Sequence, residues 1–131
     1  MTKILVIEDN DGVREELVDI LRFEGYDVLD AENGRIGLAL VREWTPDLVV
    51  CDLMMPELDG YGTLEALRAD VTTATLPFLC LTARGEQLDM QKAAALGADG
   101  YLTKPFTTEE LLDALGEVAS KRGRTLEKSV A

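Results

Sequence analysis

Residues 48–52 are Leu-Val-Val-Cys-Asp, four apolar residues followed directly by a carboxylate. A short, unbroken apolar run of this kind is typical of a β-strand that is covered on both faces. Similar runs occur along the chain at residues 4–7, 78–81 and 99–102. A weaker run at 26–31 is interrupted by Asp27 and Asp30, so we expect it at the edge of the sheet.

Amphipathic segments separate these runs. In residues 11–24, apolar side chains recur at spacings of three and four, which predicts a helix, and Gly25 suits the position just after its end. Thr107 and Glu110 have the spacing of a capping box at the start of another helix. The helix with this capping box is expected at 108–119, and the other three at 34–44, 60–69 and 86–96. Five strand–helix repeats predict a doubly wound α/β domain with a parallel sheet between two helical layers.

The composition narrows the possible functions. The chain has 131 residues, which fits one domain, and its 13 Lys and Arg against 25 Asp and Glu give a net charge of −12. Such a surface repels nucleic acid and anionic membranes, so we expect no direct binding to either. The chain has no histidine, which removes the commonest transition-metal ligand and leaves hard, oxygen-binding metals.

Cys51 and Cys80 lie inside apolar runs, and two isolated cysteines form neither a zinc site nor a disulfide framework. They are interpreted as buried thiols in a reducing compartment. The N-terminal apolar run at 4–7 is too short for a signal peptide, and no segment approaches membrane-spanning length. The expected location is the cytoplasm.

Polar side chains follow four of the predicted strands. Glu8 and Asp9 follow the first, Asp52 the third, Thr82 the fourth and Lys104 the fifth. In a parallel sheet these positions share one edge, where ligands bind. Adjacent carboxylates repel one another unless a cation lies among them, and Mg²⁺ prefers such oxygen ligands. A carboxylate beside a metal and a lysine is equipped to accept a phosphoryl group.

Four motifs surround these polar residues: Val-Ile-Glu8-Asp9-Asn, Val-Val-Cys-Asp52-Leu-Met-Met-Pro-Glu-Leu-Asp-Gly60, Leu-Thr82-Ala83 and Gly100-Tyr101-Leu-Thr-Lys104-Pro105-Phe106. In these motifs the chain resembles the receiver domains of response regulators in two-component signalling, over about residues 3–120. The resemblance implies a flavodoxin-like (βα)5 three-layer sandwich with five parallel strands in the order 2-1-3-4-5.

The resemblance also implies a role for each residue of the site. Asp52 is expected to be the phosphoacceptor, with Mg²⁺ held by Glu8, Asp9, Asp52 and the backbone carbonyl of Met54. Thr82, the amide of Ala83 and Lys104 are expected to bind the phosphoryl oxygens. Tyr101 is the expected switch aromatic, moving with Thr82, and the Lys104–Pro105 bond is expected to be cis.

Each residue taken alone has a plainer interpretation, as a turn, cap or solvated side chain. The combination at one sheet edge favours the signalling switch. A Mg²⁺-dependent phosphohydrolase with an aspartyl-phosphate intermediate is the alternative. Enzymes of the haloacid-dehalogenase type keep a second aspartate two residues after the nucleophile, where this chain has Met54, and no cap domain is evident. A flavin-binding domain is disfavoured because Glu8 and Asp9 would repel the flavin phosphate.

The expected donor is a sensor histidine kinase or a histidine phosphotransfer protein, since this chain has no histidine of its own. A downstream protein target, and a phosphorylation-dependent homodimer, would use the surface near Tyr101 and the helices after Thr82 and Lys104. Met54 and Arg84 lack the acid or amide that could position a water molecule, which predicts slow self-hydrolysis. We expect the receiver domain over residues 1–120, with 121–131 as a tail or the start of a linker.

Overall fold

The computed structural model describes residues 1–83 and 87–128, with the side chains of 87–89 also outside the description. Strands and helices alternate along the described chain. The strands are β1 (Lys3–Ile7), β2 (Asp27–Ala31), β3 (Leu48–Asp52), β4 (Phe78–Ala83) and β5 (Gly100–Lys104). The helices are α1 (Asp11–Phe23), α2 (Gly34–Trp44), α3 (Gly60–Ala69), α4 (Gln87–Ala95) and α5 (Thr108–Lys121). None of the described helices is both long enough and apolar enough to cross a bilayer.

The five strands form one parallel sheet in the order β2-β1-β3-β4-β5, which confirms the predicted topology. The strand containing Asp27 and Asp30 lies at an edge, as its broken apolar pattern predicts. The chain runs from β1 outward to β2 and then returns to place β3 on the other side of β1. Strand order therefore reverses between β1 and β3, and the carboxyl ends of these two strands border the crevice where ligands bind in such sheets.

The sheet is covered on both faces because its strands are apolar on both faces. Ile4 and Val6 contribute to one core cluster with α1 and α5, while Leu5 and Ile7 contribute to the other with α2, α3 and α4. All four side chains are fully buried. Burial of each large aliphatic side chain stabilises the fold by about 1.5–3 kcal/mol, so the two layers hold the sheet rigidly beneath the site.

Helix boundaries follow local chemistry. Gly25 has φ 97°, a left-handed conformation that glycine adopts without strain, as expected after the end of α1. The capping box of α5 is confirmed: the Thr107 amide donates to Glu110 Oε1 at 3.0 Å, and the Glu110 amide donates to Thr107 Oγ1 at 3.1 Å. At the start of α3, a Cβ on Gly60 would lie 2.4 Å from the carbonyl oxygen of Asp52. Glycine there lets α3 begin directly against the end of β3.

Three site residues were predicted to lie just after their strands, but in the structure they are part of the strands. Asp52 is the last residue of β3, Thr82 lies within β4 and Lys104 ends β5. The backbone ladder continues through them, since Asp52 is paired with Leu81 and Thr82 with Thr103. Backbone hydrogen bonds do not need an apolar side chain, so the ladder extends past the apolar run. The site residues thereby gain the rigidity of the sheet.

Residues 122–128 return to the body of the domain. The Thr2 amide donates to the Glu127 carbonyl at 2.8 Å, and the Glu127 amide donates to Thr2 Oγ1 at 2.6 Å. Leu126 packs against the core, and Lys128 pairs with Glu24 at 3.2 Å. These contacts hold the described part of the segment against the domain, and its role as a tail or the start of a linker stays a prediction. The domain boundary at residue 120 stays a prediction.

Candidate functional site

Three carboxylates meet at the crevice between β1 and β3. Glu8 and Asp9 follow β1, Asp52 ends β3, and one oxygen from each lies within 4.8 Å of the others. Glu8 is fully buried, Asp52 is 6% exposed, and Asp9 reaches solvent. Adjacent parallel strands bring these groups together, as the sequence predicts. Like charges this close repel one another, so the cluster needs compensating positive charge.

Lys104 supplies part of that charge. Its Nζ lies 3.0 Å from Glu8 Oε1 and 3.0 Å from Asp52 Oδ2, so it bridges the two buried carboxylates. Burial of the ammonium lowers its pKa, but hydrogen bonds and charge from Glu8 and Asp52 outweigh that effect and raise the pKa above the usual value. Lys104 is therefore held in its charged form. Among the described residues of the cluster, one ammonium faces three carboxylates.

Burial and the excess of carboxylates together raise the pKa of Glu8. Burial raises its pKa first, and the hydrogen bond and charge of Asp52 raise it further, while Lys104 acts in the opposite direction. The result is a pKa of about 7 instead of 4.5. Its second oxygen, Oε2, accepts the Asn10 amide at 3.2 Å, which fixes the direction of the carboxylate. The buried acids are thus under-compensated near neutral pH.

Asp52 is positioned by its neighbours in the chain. The Met54 amide donates to Asp52 Oδ1 at 3.3 Å, which brings the Met54 backbone beside the carboxylate. The Met54 side chain is exposed at the rim. One carboxylate oxygen of Asp52 is therefore held by this amide, and the other is held by Lys104. Such a carboxylate is oriented and can react at an oxygen.

Thr82 presents a hydroxyl that forms no hydrogen bond with the described residues. The residue is 2% exposed, and its Oγ1 has no hydrogen-bond partner in the part of the chain that the structure describes. A buried hydroxyl without a partner costs about 1–3 kcal/mol, so such groups are rare and need an explanation. Ala83 follows at the exposed end of β4. The arrangement leaves a hydroxyl available at the same sheet edge as Asp52.

The remaining predicted residues lie on or beside β5. Tyr101 is half-buried against the core cluster that contains Cys80, and burial raises its pKa. The Lys104–Pro105 peptide bond is cis. Arg84 lies outside the described residues.

The two cysteines are buried free thiols, as predicted. They are paired across β3 and β4, and burial raises the pKa of Cys80 to about 12 and that of Cys51 well above its usual value. A thiol that stays protonated is a poor nucleophile. The carboxylates, and not the two thiols, are therefore the candidate nucleophiles at the carboxyl-terminal edge of the sheet.

Sequence reasoning missed Arg14, which borders the acid cluster from α1. Its Nη1 donates to the Glu8 carbonyl at 2.9 Å, and its Nε donates to Asp30 Oδ2 at 3.1 Å. The available signal was its spacing from Asp11, one turn earlier on the same helix. That spacing alone is typical of an ordinary surface ion pair.

The donor set fits a hard divalent cation. All three candidate ligands are carboxylates, and the described residues of the cluster include no sulfur or imidazole ligand. Oxygen ligands in this number suit Mg²⁺, which keeps several of its waters and takes only a few protein ligands. A dication would also remove the repulsion between Glu8 and Asp52.

An acid cluster with a lysine, at the switch point of a five-stranded (βα)5 sheet, defines a class of phosphorylation-dependent signalling domains. The chain belongs to the response regulator receiver domain family, whose model matches residues 4–116. Members of this family are phosphorylation-activated switches in two-component signalling rather than classical enzymes.

Individual relatives support this assignment. The chain is 43% identical to the DNA-binding dual master transcriptional regulator RpaA of Synechocystis sp., over 86% of this chain and 46% of that protein. It is similar to the crystal structure of the Vibrio cholerae chemotaxis protein CheY4, with TM-score 0.86 and 33% identity over 90% of this chain and 98% of that one. The receiver domain of a histidine kinase from Syntrophus aciditrophicus gives TM-score 0.85 and 30% identity, with 100% and 99% covered. The chain spans about half the length of the curated relatives it matches.

Proposed function

We propose that Asp52 is the phosphoacceptor of this receiver, and that the reaction requires Mg²⁺ held by Glu8, Asp9, Asp52 and the carbonyl of Met54. The observation that carries the proposal is the pair of contacts made by Lys104, 3.0 Å from both Glu8 and Asp52, within a cluster of three carboxylates. This arrangement is under-compensated without a cation. It becomes balanced when a dication is added, because two positive charges and one ammonium match three carboxylates.

The transfer follows from the positions of the carboxylate oxygens. An oxygen of Asp52 attacks the phosphorus of a phosphohistidine on a partner protein, forming an O–P bond as the N–P bond breaks. The product is an aspartyl phosphate, and the departing imidazole of the donor takes up a proton from solvent. When bound, Mg²⁺ supplies positive charge that stabilises the phosphoryl oxygens during transfer. Lys104 is placed to pair with one of these oxygens, since it already contacts Asp52 Oδ2.

The phosphoryl group then biases a conformational equilibrium. We infer that the Thr82 hydroxyl and the Ala83 amide bind phosphoryl oxygens, and the unpartnered state of Thr82 Oγ1 among the described residues supports this role. Tyr101, half-buried two strand positions before Thr103, would move inward as Thr82 shifts. A conformer that makes these contacts is favoured only in the phosphorylated protein, which is a population shift.

The proposed partners follow from this chemistry. A sensor histidine kinase or a histidine phosphotransfer protein supplies the phosphoryl group. A downstream protein, or a second copy of this chain, reads the surface formed by α4, β5 and α5 around Tyr101. We propose no direct nucleic-acid contact for this domain, because its net charge of −12 opposes binding to phosphate backbones. Slow loss of the phosphoryl group is the turnover we expect, given the apolar Met54 at the rim.

The test is phosphorylation by a labelled small-molecule donor such as acetyl phosphate, in Mg²⁺ buffer. Wild type should gain one phosphoryl group by intact mass, and Asp52→Asn should gain none. Asp47→Asn is the matched control, because Asp47 directly precedes β3, at the end away from Asp52, and accepts the Lys3 amide at 2.8 Å. It should be labelled like wild type. Labelling of Asp52→Asn to the wild-type level would overturn the assignment.

A further inference from the structure

Arg14 joins three elements around the acid cluster. From the first turns of α1 its guanidinium donates to the Glu8 carbonyl at 2.9 Å, to Asp30 Oδ2 on β2 at 3.1 Å and to Asp11 Oδ1 at 2.6 Å. Its side chain is only 15% exposed. A planar guanidinium that uses three donors in different directions is fixed more firmly than a flexible ammonium would be.

Arg14 donates to the backbone carbonyl of Glu8 and not to its carboxylate, so it acts on the orientation of the backbone at this point. The Glu8 carboxylate is already held by Lys104 at 3.0 Å and by the Asn10 amide at 3.2 Å. The Asp9 carboxylate reaches solvent and interacts with the Glu8 side chain, and its position also depends on the peptide that carries it. The Glu8 carbonyl belongs to the Glu8–Asp9 peptide. Arg14 therefore fixes the orientation of the peptide from which the Asp9 carboxylate extends.

The positive charge of Arg14 would repel a cation bound nearby. The strength of that repulsion depends on how far neighbouring carboxylates neutralise the guanidinium. Asp11 and Asp30 both accept hydrogen bonds from the guanidinium and balance its charge locally. Through-space repulsion of a cation at Glu8, Asp9 and Asp52 is thereby reduced, and the geometric effect remains. Hydrogen bonds that orient metal ligands typically change metal affinity by about 10–100-fold.

We propose that Arg14 is a positioning residue for the divalent-cation site, acting through the Glu8–Asp9 peptide to present the Asp9 carboxylate. This inference rests on the proposed metal site. Arg14 contacts neither the cation nor the reacting oxygens, so it is not a catalytic residue.

The test measures binding of Mn²⁺ alone, from the electron paramagnetic resonance signal of the free ion, with no phosphoryl donor present. Arg14→Met should weaken binding by about tenfold or more. Arg14→Lys keeps the charge but loses the three-way donor geometry, so it should be weakened nearly as much. The proposal would be overturned if Arg14→Met bound Mn²⁺ with wild-type affinity. It would also be overturned if Arg14→Met were weakened but Arg14→Lys kept wild-type affinity, because charge alone would then explain the effect.

Arg22→Met is the matched control. Arg22 lies on the same helix and its Nη2 donates to the Val28 carbonyl of β2 at 3.0 Å, so the variant loses a comparable tie at the other end of the helix. It should bind Mn²⁺ like wild type, and an equal loss in Arg22→Met would also overturn the proposal.

Two further measurements separate positioning from unfolding and from failure of the site itself. In metal-free buffer, the Asp9 amide resonance should shift in Arg14→Lys while urea unfolding remains cooperative, and an unchanged resonance contradicts the mechanism. If wild type binds Mn²⁺ and is phosphorylated on Asp52 but the Arg14 variants match it, only this inference fails. If wild type binds no Mn²⁺, the proposed metal site fails first.

Discussion

Buried carboxylates pair with cationic side chains at both ends of the sheet, but the balance of charge is opposite at the two ends. At the amino-terminal end, Asp99 accepts from Arg68 Nη2 at 3.1 Å, from Arg122 Nε at 2.8 Å and from the Phe78 amide at 3.0 Å. One carboxylate there meets two guanidinium groups. At the carboxyl-terminal end, Glu8 and Asp52 share Lys104, and the Thr82 hydroxyl lacks a described partner.

This difference separates a structural cluster from a functional one. The Asp99 cluster joins α3, β4 and the end of α5, and each oxygen of its carboxylate is paired with a guanidinium group of the protein. The site keeps excess negative charge and a hydroxyl that has no partner among the described residues, and a ligand can satisfy both. Buried polar groups that are unsatisfied without a ligand reduce stability, and such groups concentrate where proteins bind or react.

The largest expected effect comes from the same substitution made at each end. Asp99→Asn removes the negative charge between two guanidinium groups and should lower the free energy of unfolding by about 3 kcal/mol, the lower end for a broken buried ion pair. The lower value applies because Arg122 is 26% exposed and water can solvate it. Asp52→Asn should change stability little, since it loses the pairing with Lys104 but relieves repulsion from Glu8. Urea unfolding in metal-free buffer measures both.

Equal destabilisation by the two variants would contradict the comparison. It would mean that Asp52 is as structurally compensated as Asp99. The difference between the two variants is more informative than either value, because both replace one carboxylate by an amide of the same shape.

A smaller effect is expected from pH. The pKa of Glu8 is raised to about 7, so the folded protein holds this proton more tightly than the unfolded chain, whose value is near 4.5. The resulting stabilisation is complete below pH 4.5 and is lost as pH rises through 7. In metal-free buffer, the free energy of unfolding should therefore fall by about 2 kcal/mol between pH 5 and pH 8.

Glu8→Gln should remove most of that fall, because glutamine cannot titrate. Glu65→Gln, an exposed change on α3, should leave the fall intact. Chemical unfolding at both pH values is the measurement. A pH dependence that persists undiminished in Glu8→Gln would assign it to other groups.

The features that could be predicted are those with a local signal in the sequence. The strands and helices follow from apolar periodicity, which is a local signal, and parallel pairing then places Glu8 and Asp52 at one edge. The cluster at Asp99 could not be predicted, because Arg68 lies 31 residues away and its side chain had no local pattern pointing to Asp99. Arg14 was missed because its spacing from Asp11 indicates a surface pair, whereas its decisive bond is to a backbone carbonyl.

The smallest expected effect compares two buried threonines. Thr82 Oγ1 has no described partner, whereas Thr63 Oγ1 donates to the Asp59 carbonyl at 2.8 Å. Valine has nearly the shape of threonine without the hydroxyl. Thr82→Val should raise the free energy of unfolding by about 1 kcal/mol, because it removes a buried polar group that costs more than it returns. Thr63→Val should lower it by about 1 kcal/mol, because a made hydrogen bond is lost.

The effect on switching should be the reverse: Thr82→Val should impair it, and Thr63→Val should not. Thr82→Val should still accept a phosphoryl group on Asp52, but the Tyr101 ring resonances should no longer change on addition of beryllofluoride, whereas Thr63→Val should retain that response. Destabilisation by Thr82→Val would show that its hydroxyl is already bonded in the unphosphorylated protein. The Asp52 end of the sheet would then differ from the Asp99 end only in its excess negative charge, because the Thr82 hydroxyl would already be hydrogen-bonded.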